Sequence, residues 1–131
     1  MTDRYRRGVE IVQRLAPGTL EKFCAGRVAE LAPDFARMAI EFPFGDLYAR
    51  EEIDLVTREV VAISALATLG HIEQLRTHIA AGLQLGLSRR AVVEILMQSA
   101  VYAGFPQALN ALADCHDLLT DVDCVGGSCS G

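Results

Sequence analysis

The 131 residues predict an all-α protein, a single domain (residues 1–131) of about six to seven helices assembled as a homo-oligomer. Three observations lead there. No stretch shows the strict apolar–polar alternation of a strand. Glycine and proline punctuate the chain at intervals that suit helices rather than strands. From Leu55 onward the segments are apolar nearly all round, as in ALATLG, HIAAGLQLGL and MQSAVYAG. Helices of that kind expose apolar faces that one small domain cannot cover by itself, which implies partner copies of the same chain.

Each element follows from local signals. A first helix runs from about Arg4 to Leu15 and stops at Ala16-Pro17-Gly18. Thr19 can cap a second, with Lys22 and Phe23 in its first turns, ending before Pro33. Pro33 then opens a short third helix reaching about Glu41, because proline is tolerated in a first turn. FPFGDLYAR carries Pro43 and Gly45 and reads as an ordered loop with aromatic anchors. Asp54 is a good N-cap for Leu55 to Leu69, with Leu55, Val56, Ile63 and Leu66 as its buried stripe. Gly70 marks a break, and His71 to Leu85 follows, with Gly86 suited to the left-handed position after a helix. Ser88 caps a helix through about Tyr102. Gly104-Phe105-Pro106 breaks it, and Pro106 opens a last helix to about Leu119. Residues 121–131 read as a disordered tail.

Composition sets limits on function. The net charge of -5 gives no basic footprint for nucleic acid. No segment approaches the roughly 20 uninterrupted apolar residues of a membrane span, and MTDRYRRGVE lacks the apolar run of a secretory signal. A cytoplasmic location is the expectation. Lys22 stands alone against eleven arginines. Arginine grips carboxylates in a planar fork, which suits an acidic small molecule or interface ion pairs; codon bias is the plainer explanation. Cys24, Cys115, Cys124 and Cys129 form no Cys-x-x-Cys pair and no zinc pattern. Cys24 reads as a small core residue. Cys124 and Cys129, in CVGGSCSG, either form a mobile disulfide or belong to an inert end.

One constellation can carry chemistry. His71, Gln74 and His78 are spaced i, i+3 and i+7 on one helix, and so stack over about two turns. Glu59 lies within an otherwise apolar stripe of the preceding helix, where a carboxylate needs a partner or a proton. An antiparallel hairpin around Gly70 lets Glu59 face His78 or His71 and gives an acid–base pair. Plainer roles exist for each. His71 can be exposed at a helix start, His78 can be a core histidine, and Glu59 can pair with Arg58 or Arg76 at a subunit contact. Seven residues separate the histidines by about 10 Å along the axis, too far for one ion. No metal is expected. A phosphate-binding glycine loop and a G-x-S-x-G elbow are both absent from the sequence.

FGDLYAREEIDLVTREVVAISALATLG, followed by HIEQLRTHIAAGLQLGLSRRAVVEILMQSAVYAGFPQALNAL, resembles the carboxymuconolactone decarboxylase family from about Phe35 to Leu119. The resemblance implies an alkylhydroperoxidase-D-like helical bundle, assembled as a hexamer or trimer. Peroxidases of that superfamily use Cys-x-x-Cys-x-x-x-His preceded by a glutamate. Laid on this chain, the histidine is His78, the glutamate Glu59, and the cysteine positions hold His71 and Gln74. Imidazole and amide cannot replace a thiolate and a resolving thiol. The decarboxylase branch does without the cysteines, and the resemblance implies a cofactor-free loss of carbon dioxide from a carboxylated lactone. Glu59, His71 and His78 are then the catalytic candidates, with Arg50, Arg58, Gln74 and Tyr102 as candidates for substrate binding. Two other functions compete: a peroxidase with displaced cysteines, and a non-catalytic oligomeric scaffold.

Overall fold

A computed structural model describes residues 1–20 and 25–120 of the chain, and these contain helices and turns and no strand. They fall into two compact units, Met1–Arg58 and Glu59–Gly131.

In the first unit α1 spans Asp3–Leu15, and the Thr2 hydroxyl caps it by accepting from the Tyr5 amide at 3.1 Å. Its buried residues Gly8, Ile11, Val12 and Leu15 recur at the three-to-four spacing of one helix face. Two short helices follow, α2 (Arg27–Leu31) and α3 (Pro33–Ile40), with Pro33 in the first turn of α3 as expected. The single helix expected from Thr19 to Pro33 is not continuous: the chain turns at Ala25 and bends at Gly26, which caps α2. Glycine costs about 1 kcal/mol in a helix interior, and here it serves as the boundary. The expectations for Lys22, Phe23, Cys24, Cys124, Cys129 and the tail lie outside the described residues.

The FPFGDLYAR loop is also corrected. Glu41–Tyr48 form a π-helix that continues directly from α3. Pro43 lacks an amide hydrogen and its ring would strike the carbonyl four residues back, so a regular α-helix cannot pass through it. A wider i→i+5 turn accommodates the ring, and π-turns are found mostly where, as here, they continue an α-helix. Glycines let α1 lie directly against this segment. A Cβ on Gly8 would stand 2.5 Å from the Ile40 carbonyl oxygen, and one on Gly45 would run into the carbonyl of Arg4. Charge then fastens the contact: Arg4 forks onto Asp46 at 2.7 to 3.1 Å and reaches Glu41 at 3.4 Å. Hydrogen bonding from Arg4 lowers the Asp46 pKa.

Asp54 caps α4 (Leu55–Leu69) as expected, accepting from the Thr57 amide at 2.8 Å, and Thr57 lowers its pKa. The buried positions of α4 are Glu59, Ile63 and Ala67, whereas Leu55, Val56 and Leu66 are only half-buried. The expected stripe shared only Ile63 with them.

In the second unit α5 spans Ile72–Gln84, α6 Arg89–Ala103, α7 Phe105–Asp114 and α8 His116–Leu119. The single last helix expected from Pro106 to Leu119 is interrupted at Cys115. Ser88 caps α6, accepting from the Ala91 amide at 3.0 Å. The core gathers Ile63, Ala67, Leu75, Ile79, Val92, Leu96, Ala111 and Cys115. Each large aliphatic side chain there contributes about 1.5–3 kcal/mol through burial.

Both helices of the α4–α5 hairpin end in the same way. After α4, Gly70 (φ 77°) donates to the Ala67 carbonyl at 3.2 Å and His71 donates to Leu66 at 3.0 Å. After α5, Gly86 (φ 110°) donates to Leu83 at 3.1 Å and Leu87 donates to Gly82 at 2.9 Å. These paired bonds satisfy the last carbonyls and need a left-handed residue at the turn. The sequence expected the left-handed position for Gly86, and at Gly70 only a break.

Arg76 of α5 ties α8 down, forking onto Asp117 at 2.7 and 2.8 Å and donating to the Asp114 carbonyl at 2.7 Å. Hydrogen bonding from Arg76 takes Asp117 down to about 2 from the ordinary 3.8. A depressed carboxylate favours the folded state above its unfolded value, and that contribution disappears as pH falls through about 2. An NMR titration of side-chain carboxyls should place the Asp117 midpoint near 2, and Arg76→Met should return it toward 3.8. A midpoint near 3.8 in the parent protein would dispose of the clamp.

Candidate functional site

Glu59 belongs to the buried face of α4, one turn before Ile63, and has no solvent exposure. His78 lies on α5 between the buried Leu75 and Ile79, with its side chain 20% exposed. The hairpin runs the helices antiparallel, and His78 Nδ1 meets Glu59 Oε2 at 2.8 Å. Both groups belong to the second unit.

A carboxylate only accepts hydrogen bonds, so against an ionised Glu59 the imidazole must carry its proton on Nδ1. That contact fixes the ring plane and its tautomer. Glu59 Oε1 is buried and has no hydrogen-bond partner among the described residues. A buried polar atom left in this way costs free energy, and few such groups occur in native proteins. Glu59 is therefore held through Oε2, on the fully buried face of its helix.

The other candidates stand elsewhere. His71 is exposed and sits at the N-cap of α5. Its backbone closes the turn, the N–H to Leu66 and the carbonyl accepting from Leu75 at 2.9 Å. Gln74 is exposed on the first turn of α5. Tyr102 is 74% exposed and lines an apolar groove of about 640 Å³ between α4 and α6, with Val60, Val61, Thr68 and Ile95. At about 100° per residue, Val61, Ala65 and Thr68 lie on the side of α4 opposite Glu59 and Ile63. Tyr102 is thus in a groove whose walls include neither Glu59 nor His78. In the first unit Arg58 donates through Nη2 to the Arg50 carbonyl at 3.2 Å, and Arg58 Nε is buried without a hydrogen-bond partner among the described residues. Among the described residues no three of His, Cys, Asp and Glu gather so as to hold a metal ion, and no helix is long and apolar enough to cross a membrane.

Residues 33–113 match the carboxymuconolactone decarboxylase family. The chain belongs to that family. Two relatives align with nearly its whole length. It is 24% identical to the 4-carboxymuconolactone decarboxylase of Acinetobacter baylyi (strain ATCC 33305 / BD413 / ADP1), across 91% of this chain and 89% of the relative. It is 26% identical to an uncharacterized 15.0 kDa protein from the nqo9-nqo10 intergenic region of Paracoccus denitrificans, across 94% of this chain and 98% of that one. In this member of the carboxymuconolactone decarboxylase family, Glu59 and His78 both lie inside the matched segment.

Cys115 bears on the peroxidase alternative. It is fully buried in the core, and burial pushes its thiol pKa up, against a smaller opposing effect of Arg76. Peroxide chemistry needs an accessible thiolate, and Cys115 has neither property. Peptide mapping after alkylation of the native protein should find Cys115 unmodified until denaturant is added. Prompt labelling would reopen thiol chemistry at that position.

Proposed function

We propose that this protein is a cofactor-independent decarboxylase of the 4-carboxymuconolactone type, or a related acid–base enzyme acting on a lactone or carboxylated dienolate. The observation that carries the proposal is the 2.8 Å contact between the fully buried Glu59 and His78 Nδ1. The named relative from Acinetobacter baylyi supplies the substrate type.

Loss of carbon dioxide from such a substrate leaves an electron pair, which a conjugated lactone carbonyl can accept. The enzyme has to stabilise the developing oxyanion and then protonate carbon. In this proposal His78 Nε2 delivers the proton or donates to the oxyanion, and Glu59 balances the charge on the ring when it is doubly protonated. Glu59 thereby acts as the orienting carboxylate behind an acid–base histidine. His71, at the exposed end of α5, is assigned proton exchange with solvent, and Gln74 and Tyr102 remain binding candidates by residue type. Arg50 and Arg58 are candidates for a substrate carboxylate on the strength of guanidinium chemistry.

Assembly as a homo-oligomer, a hexamer or trimer, belongs to the same proposal. Val101, Tyr102 and Phe105 are 77%, 74% and 73% exposed in the single chain, and such apolar area supports a subunit contact. The experiment is direct: the purified, metal-chelated protein is mixed with 4-carboxymuconolactone, and release of carbon dioxide is followed. Turnover above the uncatalysed rate is expected. Its absence with this substrate and with simpler carboxylated butenolides would leave the scaffold reading in its place.

A further inference from the structure

The stretch AVYAGFPQALNAL has its own part in the fold. Gly104 (φ 90°) ends α6 and caps α7, and Pro106 sits in the first turn of α7. Gln107 follows on the same turn, and its side chain reaches back to α4. There Nε2 donates to the Thr68 carbonyl at 3.1 Å. Thr68 is in the last turn of α4, where carbonyls have no partner within the helix.

The same amide covers Gly70. A Cβ at position 70 would lie 2.5 Å from Gln107 Nε2. Gly70 is required there by its left-handed φ of 77°, and the Gln107 amide rests against it. The turn beneath the amide decides how α5 is phased against α4. A slip of one residue would turn α5 by about 100° and carry His78 away from Glu59. Main-chain bonds within the hairpin close that turn, and Gln107 is the side chain from another element that hydrogen-bonds to it among the described residues.

We infer that Gln107 is a positioning residue, which locks the α4–α5 turn and so holds His78 in register with Glu59. The kinetic part of this inference rests on the decarboxylase reading; the geometric part does not. Small displacements of a catalytic group cost much, up to about 100-fold for 1 Å.

The test uses Gln107→Met, which keeps the length of the side chain and removes its donor, with Gln107→Glu as the second variant should the first fail to fold. Nitrogen-15 NMR of the His78 ring reports its tautomer and the Nδ1 hydrogen bond without reference to activity. In either variant the His78 signals should shift or broaden, and kcat should fall by roughly 10- to 100-fold with KM nearly unchanged. His78 signals identical to the parent's, with only a lower Tm, would reduce Gln107 to a structural cap and overturn the inference. Altered His78 signals in a protein without decarboxylase activity would keep the positioning role and discard the reaction instead.

Discussion

His78→Ala should abolish decarboxylation while the protein keeps its helical content. Proton transfer by a positioned side chain is worth about 10²–10⁴-fold in rate, and the alanine variant forfeits all of it. Glu59→Gln is the informative companion. The amide matches the carboxylate in size and can still accept from Nδ1, but it carries no charge to balance an imidazolium. Its loss should be smaller than that of His78→Ala. The double variant should lose no more than the single His78 variant, because the two groups act as a unit. Circular dichroism matching the parent's must accompany each rate. Full activity in His78→Ala would end the assignment of this pair as the acid–base centre.

Gly45→Ala should be the most damaging substitution of a small residue in the first unit. Its Cβ would strike the Arg4 carbonyl oxygen, a backbone atom that no side-chain rotation can move aside. Forcing α1 from the π-helix also stretches the Arg4–Asp46 fork. Overpacking of this kind costs about 1–3 kcal/mol, the upper end applying where backbone must shift. Gly18→Ala is the control. Among the described residues nothing lies within 4 Å of a Cβ there, which leaves the penalty of its φ of 86°. Chemical denaturation should show the larger drop in midpoint for Gly45→Ala. Equal midpoints for the two variants would mean that α1 and the π-helix do not need their close approach.

Much of this organisation was legible in the chain because helix ends are local events. Asp54, Ser88 and Gly86 act through bonds to residues three positions away, and each stands where its type predicted, while Gly70 stands at the expected break. Elements decided by distant contacts were not legible. Pro43 and Gly45 look like loop residues in isolation; that the chain winds through them as a π-helix, with Gly45 close against the Arg4 carbonyl, is visible only in the fold. Cys115 carries no breaker signal, yet α7 ends at it. The partnership of Glu59 with His78 was half visible. The hairpin around Gly70 allowed either histidine, and the choice of His78 depended on how the two helices are phased. Gln107 gave no sign at all, since an amide at the start of a helix is unremarkable until Thr68 is seen opposite. The placement of Tyr102 could not be read either, because it depends on α6 lying beside the far side of α4.

The two flanks of α4 have different occupations. Glu59 looks one way toward His78, and Val61 and Ala65 look the other way into the groove shared with Ile95. One helix thus works as a partition wall, with the buried Glu59–His78 pair on one side and a mainly apolar groove on the other. Selection, or a protein engineer, can therefore redecorate the groove flank to change what it adheres to while leaving the Glu59–His78 contact in place.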